Sequence, residues 1–118
     1  MAARPVVPTP ELELTTEKKA DEAIVRGTGR ITSATSSQLQ SAVRNLLPGP
    51  KRIVLDLTNV GYIDSSGLGA LVSIYMAANR AQCELEVANP KPRIRDLLKM
   101  TKLGSVFEGH GQNYFEGF

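Results

Sequence analysis

A nearly continuous apolar run, Arg52-Ile-Val-Leu-Asp-Leu57, lies between two segments of helical periodicity. Bounded by turn residues, such a run reads as a central strand covered on both faces. Upstream, Leu39, Val43, Leu46 and Leu47 recur at i, i+4, i+7 and i+8. They predict a helix from about Ser36 to Leu47, stopped by Pro48-Gly49-Pro50. Downstream, Leu68, Leu71, Val72, Tyr75 and Met76 share one face of a helix from Ser66 to about Arg80. Crossover helices of this kind join parallel strands, so the core of the fold is a parallel pair with helices laid on it.

The flanking segments extend that core. Glu11-Leu-Glu-Leu-Thr15 alternates charged and apolar residues, as a half-buried strand does. A hairpin-type turn at Lys18–Glu22 leads into a second strand, Ala23 to Ile31. Its Gly27 and Gly29 mark a bulge or bend. Glu84–Ala88 reads as a further strand. A third helix, Lys91 to Lys102, is entered through Pro90 and Pro92, left at Gly104, and striped by Ile94, Leu97, Leu98 and Thr101. Ser105–Phe107 is a candidate for a last short strand. The order β-β-α-β-α-β-α gives an α/β domain with a mixed sheet, residues 11–107, between a flexible proline-rich lead (1–10) and a tail (108–118).

Bulk composition excludes several classes. The chain has 118 residues, enough for one core, and a net charge of +2, which argues against a direct nucleic-acid role. Its one basic concentration, Lys91, Arg93, Arg95, Lys99 and Lys102 against Asp96, is best read as a solvated helix face. A surface for an acidic partner is the alternative. A single cysteine, Cys83, precludes an internal disulfide and fits a reducing, cytoplasmic setting as a buried thiol. One Cys and one His make no metal cluster. No segment reads as a signal peptide, and no apolar stretch nears the ~18 residues of a membrane span.

The chemistry concentrates where the central strand meets the second helix, in Val60-Gly-Tyr-Ile-Asp-Ser-Ser-Gly-Leu-Gly-Ala70. Two hydroxyls, Ser65 and Ser66, stand between Asp64 and Gly67, at the carboxyl end of a parallel strand where α/β folds place their sites. Hydroxyls at a helix start can cap it, attack a substrate or carry a phosphate. Attack lacks support: there is no G-x-S-x-G elbow, and the sole histidine, His110, lies in the glycine-rich tail. Gly27-Thr-Gly29 does not open a phosphate loop, because Thr32 stands where a third glycine belongs. No G-x-x-x-x-G-K-[ST] occurs. Asp64 suits the N-cap, and Ser65 and Ser66 then fall among unpaired first-turn N–H groups, where a phosphate would be stabilised. Residue types alone favour a plain cap over a phosphoacceptor.

Leu55-Asp-Leu-Thr-Asn-Val-Gly-Tyr-Ile-Asp-Ser-Ser-Gly-Leu-Gly-Ala-Leu71 resembles the central segment of STAS domains, in particular of bacterial anti-sigma factor antagonists. Ala88-Asn-Pro-Lys-Pro-Arg-Ile-Arg-Asp-Leu-Leu98 resembles the family's following strand-loop-helix, and the element order from about Glu11 to Phe107 matches its architecture. The resemblance implies a non-enzymatic partner switch. The unphosphorylated domain would bind an anti-sigma factor serine/threonine kinase and so free a sigma factor, acting in transcription regulation.

By the same resemblance, the kinase, which uses ATP and magnesium, would phosphorylate Ser65, and a PP2C-type phosphatase would reverse it. The chain itself would need no cofactor. Asp64, Ser65, Ser66, Gly67, Leu68 and Gly69 would form the partner-binding shoulder, with homodimerisation possible through tail aromatics such as Tyr114 and Phe115. A scaffold or transport-associated STAS module is the alternative role. One departure is plain: Gly29-Arg30-Ile31-Thr32 puts Arg30 and Thr32 where the family commonly has acidic residues.

Overall fold

A computed structural model describes residues 10–100. Two strands, β1 (Leu12–Lys19) and β2 (Glu22–Ile31), form an antiparallel hairpin in register from Leu12 opposite Gly29 to Lys19 opposite Glu22. The turn is tighter than the sequence suggests: only Ala20 and Asp21 connect the strands, with Ala20 at φ +49°. Helix α1 (Ser36–Arg44) leads to β3 (Arg52–Ile63), then α2 (Ser65–Arg80), β4 (Glu84–Ala88) and α3 (Pro92–Met100). The expected strand at Ser105–Phe107, the end of the third helix with Thr101, and the tail with His110 lie outside the described residues.

The sheet order is β1-β2-β3-β4, with β2, β3 and β4 parallel. This is the mixed sheet that a hairpin followed by two crossovers requires. Ala23, Val25, Ile53, Leu55, Leu57, Leu85 and Val87 are all buried and alternate along their strands, so they share one face. Helices α1 and α2 cover that face with Leu39, Val43, Ala70, Leu71, Ile74 and Ala78, joined by a hydrogen bond from the Ser73 hydroxyl to Gln40 (3.0 Å).

The central strand differs from expectation in two respects. It is buried on one face only. The other carries Arg26, hydrogen-bonded to Glu17 at 3.0 Å and 3.8 Å from Asp56, and Arg52, which joins Glu22 and Glu86. Among the described residues, ion pairs that together involve all four strands line that face. The strand also runs six residues past Leu57, to Ile63. Register shifts between Arg26 and Thr28 and between Gly29 and Arg30 let β2 stay paired along it; the extra residue at each lies on β3, so the irregularities fall at the two glycines but bulge the opposite strand.

Two helices are also adjusted. α1 ends at Arg44, and Leu46 and Leu47 pack on the core from the turn that follows. On α2, Met76 does not join the buried face; it is 45% exposed. The buried stripe is Gly67, Ala70, Leu71, Ile74, Tyr75 and Ala78. Leu68 and Val72 are half-buried at the edge of that stripe, and Met76 alone of the three is exposed.

Candidate functional site

The site begins where β3 ends. Asp64 leaves the strand in extended geometry (φ −104°, ψ −173°), and its N–H still donates to the carbonyl of Ile31 on β2 at 3.2 Å. Its carboxylate then accepts the Gly67 N–H at 2.9 Å, and its own carbonyl accepts the Leu68 N–H at 2.9 Å. Asp64 is therefore the N-cap that the sequence suggests, tying the helix start to the sheet by both backbone and side chain.

Ser65 and Ser66 form the first turn of α2, one residue earlier than expected, and both are exposed. Neither hydroxyl makes a hydrogen bond among the described residues. The first turn itself carries no acidic side chain, so the Asp64 carboxylate at the N-cap is the one that meets the positive end of the helix, beside the two exposed hydroxyls.

Gly67 and Gly69 play opposite parts. Gly67 is buried: a Cβ there would lie 2.2 Å from the Ile31 carbonyl oxygen and 2.8 Å from Ile63 Cγ2. It packs beneath the turn and offers a partner no side-chain surface. Gly69 is exposed, with nothing within 4 Å of a Cβ. Leu68 is half-buried against the core. Of the six expected shoulder residues, the surface is thus formed by Ser65, Ser66 and Gly69, with Leu68 at its edge and Asp64 and Gly67 fixing it from behind.

Two features escaped the sequence reading. The first is Thr35, buried at the start of α1. Its hydroxyl donates to the Arg30 carbonyl (2.8 Å) and accepts from the Thr32 N–H (2.9 Å), bracing the β2–α1 loop beside the site. The Ser/Thr-rich stretch from 32 to 37, interrupted by Ala34, is the only sequence signal for it. The second is an open groove of about 660 Å³ lined by Tyr62, Ile63, Arg93, Ile94, Asp96 and Leu97. It joins residues some thirty positions apart, and Tyr62, 47% exposed, stands at its edge two residues before Asp64.

Away from the site, two titratable groups with shifted pKa values serve structure. Burial raises the Cys83 thiol pKa, with the Glu84 charge adding to it, which describes an inert structural cysteine. At Asp56 burial acts upward. It is outweighed by hydrogen bonds from Thr58 (2.6 Å from Oγ1, 3.0 Å from N) and Asn89 and by the Arg26 charge, which leave the pKa lowered. Among the described residues no three His, Cys, Asp or Glu side chains gather as a metal site would require, and no helix is long and apolar enough to cross a membrane.

The family model for the STAS domain matches residues 13–115. The chain belongs to the STAS domain family. This STAS domain is 32% identical over 93 residues to the anti-sigma-B factor antagonist of Staphylococcus aureus, covering 78% of this chain and 84% of that protein. It superposes on an anti-sigma factor antagonist from Mycobacterium paratuberculosis with a TM-score of 0.74 at 23% identity, covering 86% and 87% of the two chains. The phosphorylated form of the Bacillus cell fate determinant SpoIIAA shares the fold at a TM-score of 0.64 and 17% identity, covering 79% and 86%. STAS architecture thus accounts for the four-stranded mixed sheet with its three helices.

Proposed function

We propose that this STAS domain is an anti-sigma factor antagonist. Unphosphorylated, it binds an anti-sigma factor serine kinase and so releases a sigma factor; phosphorylation of Ser65 ends that binding, and a PP2C-type phosphatase restores it. The chain is ligand and substrate in this scheme, not catalyst.

The observation that carries the reading is the state of Ser65. Its hydroxyl is exposed and without a hydrogen-bond partner among the described residues, while the capping role is already filled by Asp64 at 2.9 Å from the Gly67 N–H. A phosphate there meets the positive end of α2 without displacing the cap, so the fold tolerates it. A partner packed on Gly69 and Leu68 does not. It would have to desolvate a group of about −1.5 to −2 charge. The relative from Staphylococcus aureus carries the antagonist name, which supports the role, and the SpoIIAA structure in its phosphorylated form supports a phosphate-borne switch on this fold.

Incubating the chain with candidate anti-sigma kinases and ATP, then mapping the modification by mass spectrometry, tests the assignment. A single phosphate on Ser65 is expected. Phosphate confined to Ser66, or absent with every kinase that binds the chain, contradicts it.

A further inference from the structure

Strand β1 is an edge: β2 lies on one side of it and no strand on the other among the described residues. The Arg30 N–H donates to the Glu11 carbonyl at 2.8 Å, in the same register that sets Leu12 opposite Gly29. In an antiparallel ladder, residues that bond the neighbouring strand alternate with residues that do not. Glu13, Thr15, Glu17 and Lys19 therefore turn their backbone groups toward β2, and Leu12, Leu14, Thr16 and Lys18 turn theirs outward. The Gln38 side chain on α1 donates to the Leu12 carbonyl at 2.9 Å, which agrees with that alternation and occupies one end of the edge. At the other end the chain leaves the strand at Ala20. The outward N–H and C=O groups of Leu14, Thr16 and Lys18 are left without partners among the described residues.

These three residues are symmetric about Thr16. A second copy of the strand, antiparallel and related by a twofold axis at Thr16, satisfies all of them. Thr16 bonds the other copy's Thr16, and Leu14 bonds the other copy's Lys18 on either side of it. Directly opposed side chains share a face of the joined sheet. In this register Glu13 stands opposite the other copy's Lys19, and Lys19 opposite its Glu13. Glu13 is exposed and makes no ion pair among the described residues, while Lys19 holds an exposed contact with Glu17 at 3.2 Å. Adjacent registers oppose like charges. Centred on Thr15, Glu13 meets Glu17; centred on Leu14, Glu11 meets Glu17; centred on Glu17, that residue meets itself. Charges on an edge strand ordinarily prevent pairing. Here their order admits one register.

We infer that β1 is a self-association edge, through which two copies of this chain join their four-stranded sheets. The twofold axis stands perpendicular to the sheet, so the helices of both copies lie on the same side. Strand β2 separates β1 from β3, and none of residues 64–69 takes part in the pairing. The inference is independent of the Ser65 reading, and neither stands or falls with the other.

Sedimentation equilibrium of the full chain tests it, at concentrations up to about 1 mM, where even a weak dimer is populated. Glu13→Lys and Lys19→Glu each create two like-charge pairs across the axis and should each weaken self-association about tenfold. Mixed in equal amounts, the two variants regain both opposite-charge pairs, and the mixture should associate as the parent does. A misfolded variant would regain nothing on mixing. Cross-linking reads the register. Opposed residues of a hydrogen-bonded pair have Cα atoms about 5.5 Å apart, within disulfide range. Thr16→Cys should therefore link two chains on mild oxidation, whereas Thr15→Cys, opposed by Glu17, should not; Cys83 is buried and does not compete. A parent that stays monomeric, single variants that associate as the parent does, a mixture that recovers nothing, or equal cross-linking at positions 15 and 16 overturns the inference.

Discussion

The carbonyl oxygen of Ile31 lies 2.2 Å from where a Cβ on Gly67 would stand. That closeness is how the strand end and the helix start are held as one unit: the same oxygen accepts the Asp64 N–H at 3.2 Å. A methyl group here meets backbone, which cannot swing aside, so the first turn of α2 must move off the sheet. Gly67→Ala should destabilise the domain by about 1–3 kcal/mol, the usual cost of overpacking. The shift of the urea midpoint measures it.

Gly69 predicts the reverse. Its Cβ position is open, and glycine within a helix costs about 0.5–1 kcal/mol relative to alanine. Gly69→Ala should therefore raise the urea midpoint by that margin. If the shoulder is where the anti-sigma kinase docks, the same substitution lowers its affinity, separating stability from binding in one variant.

Removing the cap tests the other half of the junction. Asp64→Ala leaves the Gly67 N–H without its 2.9 Å acceptor and should cost about 1 kcal/mol. Asp64→Asn, which keeps an acceptor oxygen, should cost much less. Equal losses in the two variants would show that the carboxylate charge, not capping, is what matters.

The lowered pKa of Asp56 predicts an acid dependence on the open face of the sheet. A carboxyl depressed in the folded state binds a proton more readily when the chain unfolds. Its contribution is therefore complete above its unfolded pKa, near the reference value of 3.8, and is lost as pH falls through the folded value. Asp56→Asn should flatten the stability-against-pH curve below about pH 4. Chemical denaturation at stepped pH provides the measurement.

Much of this architecture is legible in the residues. Leu39 and Val43, and Leu85 with Val87, fix their elements by period, the apolar run Ile53 through Leu57 fixes a strand but not how many of its faces are covered, and Asp64 before two serines and a glycine announces its cap. What periodicity misses follows from close packing and bulges. Val60 and Ile63 are buried yet break the period of two, because each register shift against β2 inserts an extra residue into β3 itself, opposite Gly27 and Gly29. Met76 looks like core beside Val72, but Ala70 and Ala78 are the positions where α2 packs closely. The Thr35 brace is local, reaching only to Thr32 and Arg30, but a threonine among other Ser and Thr residues does not announce it; the groove at Tyr62 depends on chain segments brought together only by the fold.

Side-chain replacements at Ser65, the proposed acceptor, follow from the size of the charge effect. Ser65→Ala should bind the kinase as the parent does and resist phosphorylation. Ser65→Glu, with less charge than a phosphate, should bind more weakly than the parent. Surface plasmon resonance against the immobilised kinase distinguishes them.

The most direct measurement is the affinity of the anti-sigma kinase for the full chain with serine or with phosphoserine at position 65, by isothermal titration calorimetry. Desolvating the phosphate at the shoulder should cost about 3–4 kcal/mol, a loss of roughly a hundredfold to a thousandfold in affinity. Equal affinity for the two forms would contradict the account.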